Sequence, residues 1–177
     1  MNPSAIVPAV STMSLGPRLL TRATALCSRI PSGFIALLGR VSIAAVFWKS
    51  GQTKVEGFAI DLLDGQFQFG VPRLSDSALA LFRDEYRVPL LSPELAAPLA
   101  AMGEHVFAAL LLVGLATRFS ALALLGMTAV IQLFVYPGAW PTHGTWAAVL
   151  LYLVANGPGP VSLDHWVHTK TGSMDGA

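Results

Sequence analysis

The sequence is short of charge and has almost no cysteine. Charged residues make up 12% of its 177 residues, whereas hydrophobic residues make up 54%. A soluble domain carries about 25% charged residues, so roughly half of the usual surface charge is missing. The single cysteine, Cys27, excludes an intramolecular disulfide and a pair of thiols for redox chemistry. So little charge indicates a chain whose surface faces lipid rather than water.

The motifs of the common active sites are missing as well. The sequence has no HExxH, no CxxC, no glycine-rich phosphate loop and no nucleophile elbow. A formal net charge of +1 provides no basic field to hold phosphates, so we expect no nucleic-acid partner. His165 and His168 have a spacing that suits a metal, but two histidines make a weak case, and we predict no metal site. The motifs therefore identify neither a catalytic residue nor a cofactor.

What the sequence does contain is long apolar stretches. A spanning helix needs roughly twenty mostly apolar residues. Four stretches qualify, at residues 33–51, 93–116, 118–136 and 142–156. We expect Ser92 and Thr117 to cap the second and third helices, and Gly157 to end the fourth. The predicted fold class is all-α, a polytopic membrane protein with a four-transmembrane-helix bundle and a long extracytoplasmic loop between helices 1 and 2.

That long loop, residues 52–91, has internal patterns of its own. Residues 64–72 alternate polar and apolar side chains, which suits a short strand or hairpin. Residues 76–86 place their apolar side chains on one helical stripe, which suits a short helix on the membrane or across the end of the bundle.

The distribution of charge predicts the orientation. The first 30 residues contain three arginines and no acid, whereas residues 52–94 contain four basic and seven acidic residues, a net charge of −3. By the positive-inside rule, both termini are cytoplasmic and the loop is outside. An aromatic belt near the outer boundary agrees with this orientation, and it consists of Trp48, Trp140, Trp146 and Tyr136.

Two charged residues lie within the apolar stretches and need an explanation, because a lone charge at membrane depth is costly. Arg40 lies about midway along the first helix and Glu104 about midway along the antiparallel second helix. We therefore expect an Arg40–Glu104 ion pair. Either it is a structural clasp that fixes the helix pairing, or it carries protons or contacts a ligand.

Three further polar residues are candidates for a site. His105 follows Glu104, so it points about 100° away and could bond a neighbouring helix, ligate something or exchange protons with Glu104. Gln132 and His143, with Lys49, Gln52 and Lys54 at the outer end of the first helix, line an outward-opening cavity or are ordinary interfacial polarity. The candidate cofactor-binding or cavity residues are Arg40, Glu104, His105, Gln132 and His143.

Several segments together resemble one known family. They are LLGRVSIAAVFWKSGQTKV in the first helix, GLATRFSALALLGMTAVIQLFVYP, and WPTHGTWAAVLLYLVANGPGPVSLD. They resemble the DoxX family of small four-helix integral membrane proteins. The resemblance implies a cytoplasmic tail or amphipathic segment at residues 1–30, a membrane domain at residues 31–166, and a cytoplasmic C-terminal tail at residues 167–177.

The segments FRDEY, VPLLSPELAA and FVYPGAWPTH are especially similar to DoxX-type proteins encoded beside copper-related modified-peptide precursors. This resemblance implies an accessory protein of the bacterial inner (plasma) membrane in a redox or metal-stress pathway. The family is also associated with quinone-linked sulfur oxidation, so a quinone is the cofactor that it suggests. Whether the chain is an enzyme is left open.

Two alternatives remain from the sequence. The chain exports or binds a small peptide or metal complex in an outward cavity, or it is a structural partner of another membrane complex. Each reading requires the lipid bilayer and either a protein partner or a homo-oligomer, since four helices make a small transporter.

Overall fold

The computed structural model describes residues 15–61 and 65–172, which are mostly helical. The helices are α1 (Leu15–Cys27), α2 (Ser32–Gln52), α3 (Asp76–Leu81), α4 (Pro93–Val113), α5 (Thr117–Val130), α6 (Trp140–Asn156) and α7 (Leu163–Gly172). The strands are β1 (Val55–Asp61) and β2 (Gln66–Leu74). A π-helical turn continues α3 over Phe82–Tyr86 and α5 over Ile131–Val135, and a 3-10 turn at Pro137–Ala139 leads into α6.

Four helices form the body of the fold. Helix α2 contacts α4 and α6, and α5 contacts the same two helices, so the four close into a ring. The side chains at its centre are fully buried and include Leu111, Leu124, Leu150 and Leu153. Many large apolar side chains are nevertheless exposed on the outside of the ring. A helix that is apolar on its inner and outer faces is expected where the surroundings are lipid.

The predicted helices coincide with the observed ones to within about one turn, the usual scatter of helix ends. Among the described residues, three segments are long and apolar enough to cross a membrane: Ser32–Gln52, Pro93–Val113 and Thr117–Val135. The fourth predicted helix is present as α6, which has 17 residues. Its crossing of the membrane stays a prediction.

The structure is mostly helical, as expected, and the connection between α2 and α4 adds two strands to the helices. Strands β1 and β2 form an antiparallel hairpin there, so the strand or hairpin predicted at residues 64–72 is confirmed. The helix predicted at residues 76–86 is also confirmed as α3 and its π-helical turn. Phe82 in this turn packs against Ala97 of α4, so the segment covers the N-terminal part of α4.

The N-terminus of α5 is capped by a distant residue rather than by Thr117. The cap position is Ala116, in a left-handed conformation, and Thr117 is the first helical residue. The backbone N–H groups of Ala116 and Thr117 donate to the Asp164 carboxylate, at 2.7 and 2.9 Å. The Asp164 N–H donates back to the carbonyl of Gly114, at 2.8 Å. A carboxylate at a helix N-terminus accepts from the free N–H groups and interacts favourably with the positive end of the helix dipole. Asp164 therefore fixes the C-terminal segment to the α4–α5 turn.

We expect Asp164→Ala to lower the free energy of unfolding by about 0.5–2 kcal/mol, the usual effect of losing a cap. Unfolding would be measured by titration with denaturing detergent in mixed micelles. The control is His165→Ala at the exposed neighbouring position, which should change stability little. Equal effects of the two substitutions would contradict the capping role.

Candidate functional site

A buried ion pair joins the end of α2 to the middle of α4. Lys54 Nζ lies 2.8 Å from Glu104 Oε2 and 3.0 Å from Oε1. The Ser50 hydroxyl donates to Glu104 Oε1 at 3.0 Å, and Lys54 Nζ also donates to Ser50 Oγ at 3.0 Å. Lys54 is 5% exposed and Glu104 is 3% exposed. The three side chains therefore form one closed group that neutralises the buried charges.

The expected Arg40–Glu104 pair is wrong, because the two helices are displaced along their axes. A Cβ on Gly51 would lie 3.2 Å from Glu104 Cβ, so Gly51 is level with Glu104. Arg40 precedes Gly51 by about eleven residues, which is roughly 16 Å along an α-helix. Midpoints of two sequence segments share a depth only when the helix ends are aligned, and these ends are not.

His105 belongs to a second network, which connects α4 to α2 and β1. Its Nδ1 lies 2.7 Å from the Ala101 carbonyl, and its Nε2 lies 2.7 Å from Gln52 Nε2. Gln52 Oε1 accepts from the backbone N–H of Ile60 at 2.9 Å. Trp48 Nε1 donates to the Ile60 carbonyl, also at 2.9 Å. Of the roles expected for His105, the observed one is hydrogen bonding between segments.

The hydrogen-bond partners of His105 indicate which of its ring nitrogens carries the hydrogen. A carbonyl only accepts, so Nδ1 carries the hydrogen, and Gln52 must donate because its oxygen already accepts from Ile60. His105 Nε2 is therefore an acceptor, and the network fits a neutral imidazole.

Gln132 and His143 bond to each other at the opposite side of the bundle, between the π-helical turn after α5 and α6. The His143 Nδ1–H donates to Gln132 Oε1 at 2.8 Å, while Gln132 Nε2 donates to the Pro137 carbonyl at 2.6 Å. The His143 ring also packs against Trp146, with centroids 5.1 Å apart. This pair links the ends of two adjacent helices.

The residues expected to line one outward cavity are therefore divided. Gln132 and His143 bond to each other, Lys54 bonds to Glu104, and Gln52 bonds to His105. In each case the partner comes from an adjacent helix rather than from across a shared wall.

Tyr136 connects the end of the α5 turn to the loop. Its hydroxyl donates to the Glu85 carboxylate, and its ring meets Tyr86 edge-on at 5.7 Å. The bond to Glu85, with a smaller contribution from burial, raises the pKa of Tyr136 above its usual value of 10.0. Both contacts hold the π-helical turn after α3 against the bundle.

Arg40 has a different environment from that of Glu104. Its Nη2 donates to the Val161 carbonyl, whereas its Nε and Nη1 have no hydrogen-bond partner although they are buried. The negative charge that acts on it is Asp164, whose oxygens already accept from α5. A Cβ on Gly114 would lie 1.7 Å from Nη1, so only glycine leaves room for the guanidinium.

A pocket of about 450 Å³ opens beside this guanidinium. Its walls come from α2, α4 and the segment that leads into α7, and they are mostly apolar. The lining residues are Leu37, Arg40, Leu112, Val113, Val161, Ser162, Leu163 and Trp166. A buried donor group in an apolar pocket can orient a lipophilic molecule through one acceptor atom.

Sequence reasoning named Lys54 but gave Glu104 the wrong partner, and it missed Ser50 and Asp164 as members of the networks. The sequence did contain one indication that Lys54 could reach Glu104. A lysine one turn beyond Ser50 can extend its aliphatic stem back along an apolar surface. Nothing local to Asp164 indicated its contact with α5, since the partners are 47 and 48 residues away.

An apolar ring of helices that encloses paired charges is the construction of a helical membrane protein. The chain belongs to the DoxX family, because the DoxX family model matches residues 35–137. The match begins in α2, includes the hairpin and α4, and ends just before α6. A search of curated proteins and one of solved structures each found no match.

We expect Glu104→Gln to lower the free energy of unfolding by about 3–5 kcal/mol, because it leaves Lys54 buried without a counter-charge. The matched control is Glu94→Gln in the same helix, since the Arg83–Glu94 pair is exposed and should contribute little. Stability would be measured by detergent titration.

Exchanging the charges of a pair tests whether Lys54 or Arg40 is the partner of Glu104. Lys54→Glu combined with Glu104→Lys should recover part of the lost stability, whereas Arg40→Glu combined with Glu104→Arg should recover none. Recovery by the Arg40 exchange alone would refute the observed pairing.

Proposed function

We propose that α2, α4, α5 with its π-helical turn, and α6 all span the bacterial inner membrane. Helix α6 supports a fourth crossing because the 3-10 turn before it lengthens the helical run and because it packs against α2 and α5. Both termini are then cytoplasmic, and the hairpin lies on the outer side, as the charge distribution predicts.

We further propose that the chain is an accessory membrane protein of a redox or metal-stress pathway that binds a quinone in the Arg40 pocket. One observation carries this proposal: a buried guanidinium with two donor atoms that have no hydrogen-bond partner lines a mostly apolar pocket. Family membership supports it more generally, through the association of DoxX proteins with quinone-linked complexes.

The residues of the pocket fit such a molecule. An arginine is a strong donor to a carbonyl oxygen and stays charged, so it also stabilises negative charge that develops there. Trp166 offers a ring face, and leucines such as Leu37 and Leu112 offer contact for an isoprenoid chain. A bound quinone would supply two-electron chemistry, while the chain itself binds and orients it.

The role is accessory because the sequence has one cysteine and no nucleotide or flavin motif. Electrons must then come from a partner protein, so we infer that the chain works in a complex or as a homo-oligomer. One alternative is a purely structural partner, which the complete neutralisation of Lys54 and Glu104 favours. The other alternative is export or binding of a peptide or metal complex, for which the polar cleft lined by Lys49 and Gln52 is the candidate cavity.

The topology predicts which cysteines a membrane-impermeant maleimide can reach. Cys27 is exposed in α1, so in spheroplasts it should react only with a permeant reagent. Gln66→Cys in a Cys27→Ser background should react with both reagents, because β2 is on the outer side. Labelling of Cys27 by the impermeant reagent in intact spheroplasts would reverse the proposed orientation.

The quinone proposal predicts a measurable ratio of quinone to protein. Protein extracted into native lipid discs should carry extractable quinone near equimolar amounts by mass spectrometry. Arg40→Met should weaken binding about tenfold to a hundredfold, the effect of losing a hydrogen bond to a charged donor. Leu112→Trp, which fills the pocket from its wall, should have a similar effect while leaving Arg40 in place.

The control variant is Arg118→Met, which removes an exposed arginine outside the pocket and should retain quinone. Unfolding curves for all variants identify any that lose quinone through loss of fold. Wild-type protein that retains its native lipid but carries no quinone would refute the proposal and favour the structural partner.

A further inference from the structure

The hairpin between α2 and α4 has one apolar and one polar face. Directly opposed residues of antiparallel strands share a face, and the register opposes Phe58 to Phe69 and Ile60 to Phe67. Beyond Phe69 the register shifts, with Gly70, Val71 and Pro72 of β2 opposite Gly57 alone, so the alternation of faces places Phe67 and Phe69 on this side. The opposite face carries Gln66 and Gln68 on β2 and lines a polar cleft of about 860 Å³.

Within residues 15–61 and 65–172, no segment covers the outer strand of the apolar face. Phe58 is half-buried, with its ring 6.4 Å from that of Trp48. Its neighbours on β2 are not covered, because Phe67 is 55% exposed and Phe69 is 79% exposed. Phe67 and Phe69 therefore project from the same side of the sheet as Phe58, which packs on the bundle.

The hairpin folds back along α2 instead of extending away from it. Trp48 bonds the Ile60 carbonyl, and Lys49 Nζ lies 3.9 Å from Asp61 Oδ2. The end of β1 is therefore level with residues about one turn before the end of α2. Because α2 is 21 residues long, it spans about 31 Å, close to the thickness of the hydrocarbon core. This level is the boundary between acyl chains and headgroups.

Among the described residues, the outer edge of β2 pairs with no other strand, and this limits how deeply the hairpin can lie in the membrane. An unpaired sheet edge cannot lie in the hydrocarbon core, because its backbone groups would have no partners there. Pro72 removes one donor from the strand, and Gln66 and Gln68 favour water. Phenylalanine side chains directed toward the acyl chains and a polar face directed toward water fit the interface between them.

We propose that the hairpin is a membrane-interface element, whose apolar face formed by Phe67 and Phe69 is seated on the outer leaflet. Lipid is the occupant because this face lies beside a helix of membrane-spanning length and at the level of its last turns. The connection between α2 and α4 is then partly a lipid-contacting segment rather than a wholly aqueous loop.

Spin labels on opposite faces of β2 test the proposal. In a Cys27→Ser background, Phe69→Cys and Gln68→Cys each provide a single labelling site, and both side chains are exposed in the fold. The full chain would be placed in nanodiscs of phosphatidylethanolamine and phosphatidylglycerol. Relaxation by oxygen, which concentrates in lipid, would be compared with relaxation by a water-soluble nickel complex.

We expect the label at residue 69 to be more accessible to oxygen and at least severalfold less accessible to nickel than the label at residue 68. Phe67→Cys should repeat the result for residue 69, which guards against a local distortion at one site. Equal nickel accessibility at residues 68 and 69 would overturn the proposal. Protection of residue 69 from both reagents would also overturn it, and would indicate a protein partner or a second copy on this face.

Discussion

The Lys54–Glu104 ion pair determines how α2 and α4 are placed along each other, and much of the fold depends on that placement. Two charges this deeply buried are tolerated only together, because either alone would lack both water and a counter-charge. For Lys54 and Glu104 to form their ion pair, the end of α2 must lie beside the middle of α4. As a result, the N-terminal half of α4 extends past α2, where the hairpin, α3 and its π-helical turn pack against it.

The same placement decides the surroundings of Arg40. With α4 displaced, Arg40 lies beside Gly114 at the end of α4 rather than beside Glu104. The C-terminal segment closes over it, since Val161 accepts from the guanidinium and Asp164 caps α5. The segment that follows α6 is therefore an integral part of the bundle, and it forms one wall of the pocket.

Hydropathy and local signals were enough for the elements but not for their register. The positions of the helices depend on residues that are close in sequence. The apolar runs, the start of α4 at Pro93 and the end of α6 at Gly157 were therefore predicted correctly. The axial position of α4 was not, because hydropathy describes which residues are apolar and carries no information about sliding one helix along another. The capping role of Asp164 was not predicted for a related reason. Its contacts are distant in sequence, and no neighbouring residue indicates that its carboxylate caps a helix.

The two buried charges on α2 and α4 differ in their partners, because Glu104 forms an ion pair with Lys54 whereas Arg40 donates to a backbone carbonyl. Glu104 has Lys54 and Ser50 as partners from α2 and the residues after it, so a ligand would have to displace a formed ion pair. Arg40 has one carbonyl partner and two buried donors left over, beside a carboxylate that already accepts from α5. A protein retains such a group at a cost in stability, and the cost is offset when an acceptor enters the pocket. We therefore propose Arg40 as the ligand contact and Glu104 as a structural residue.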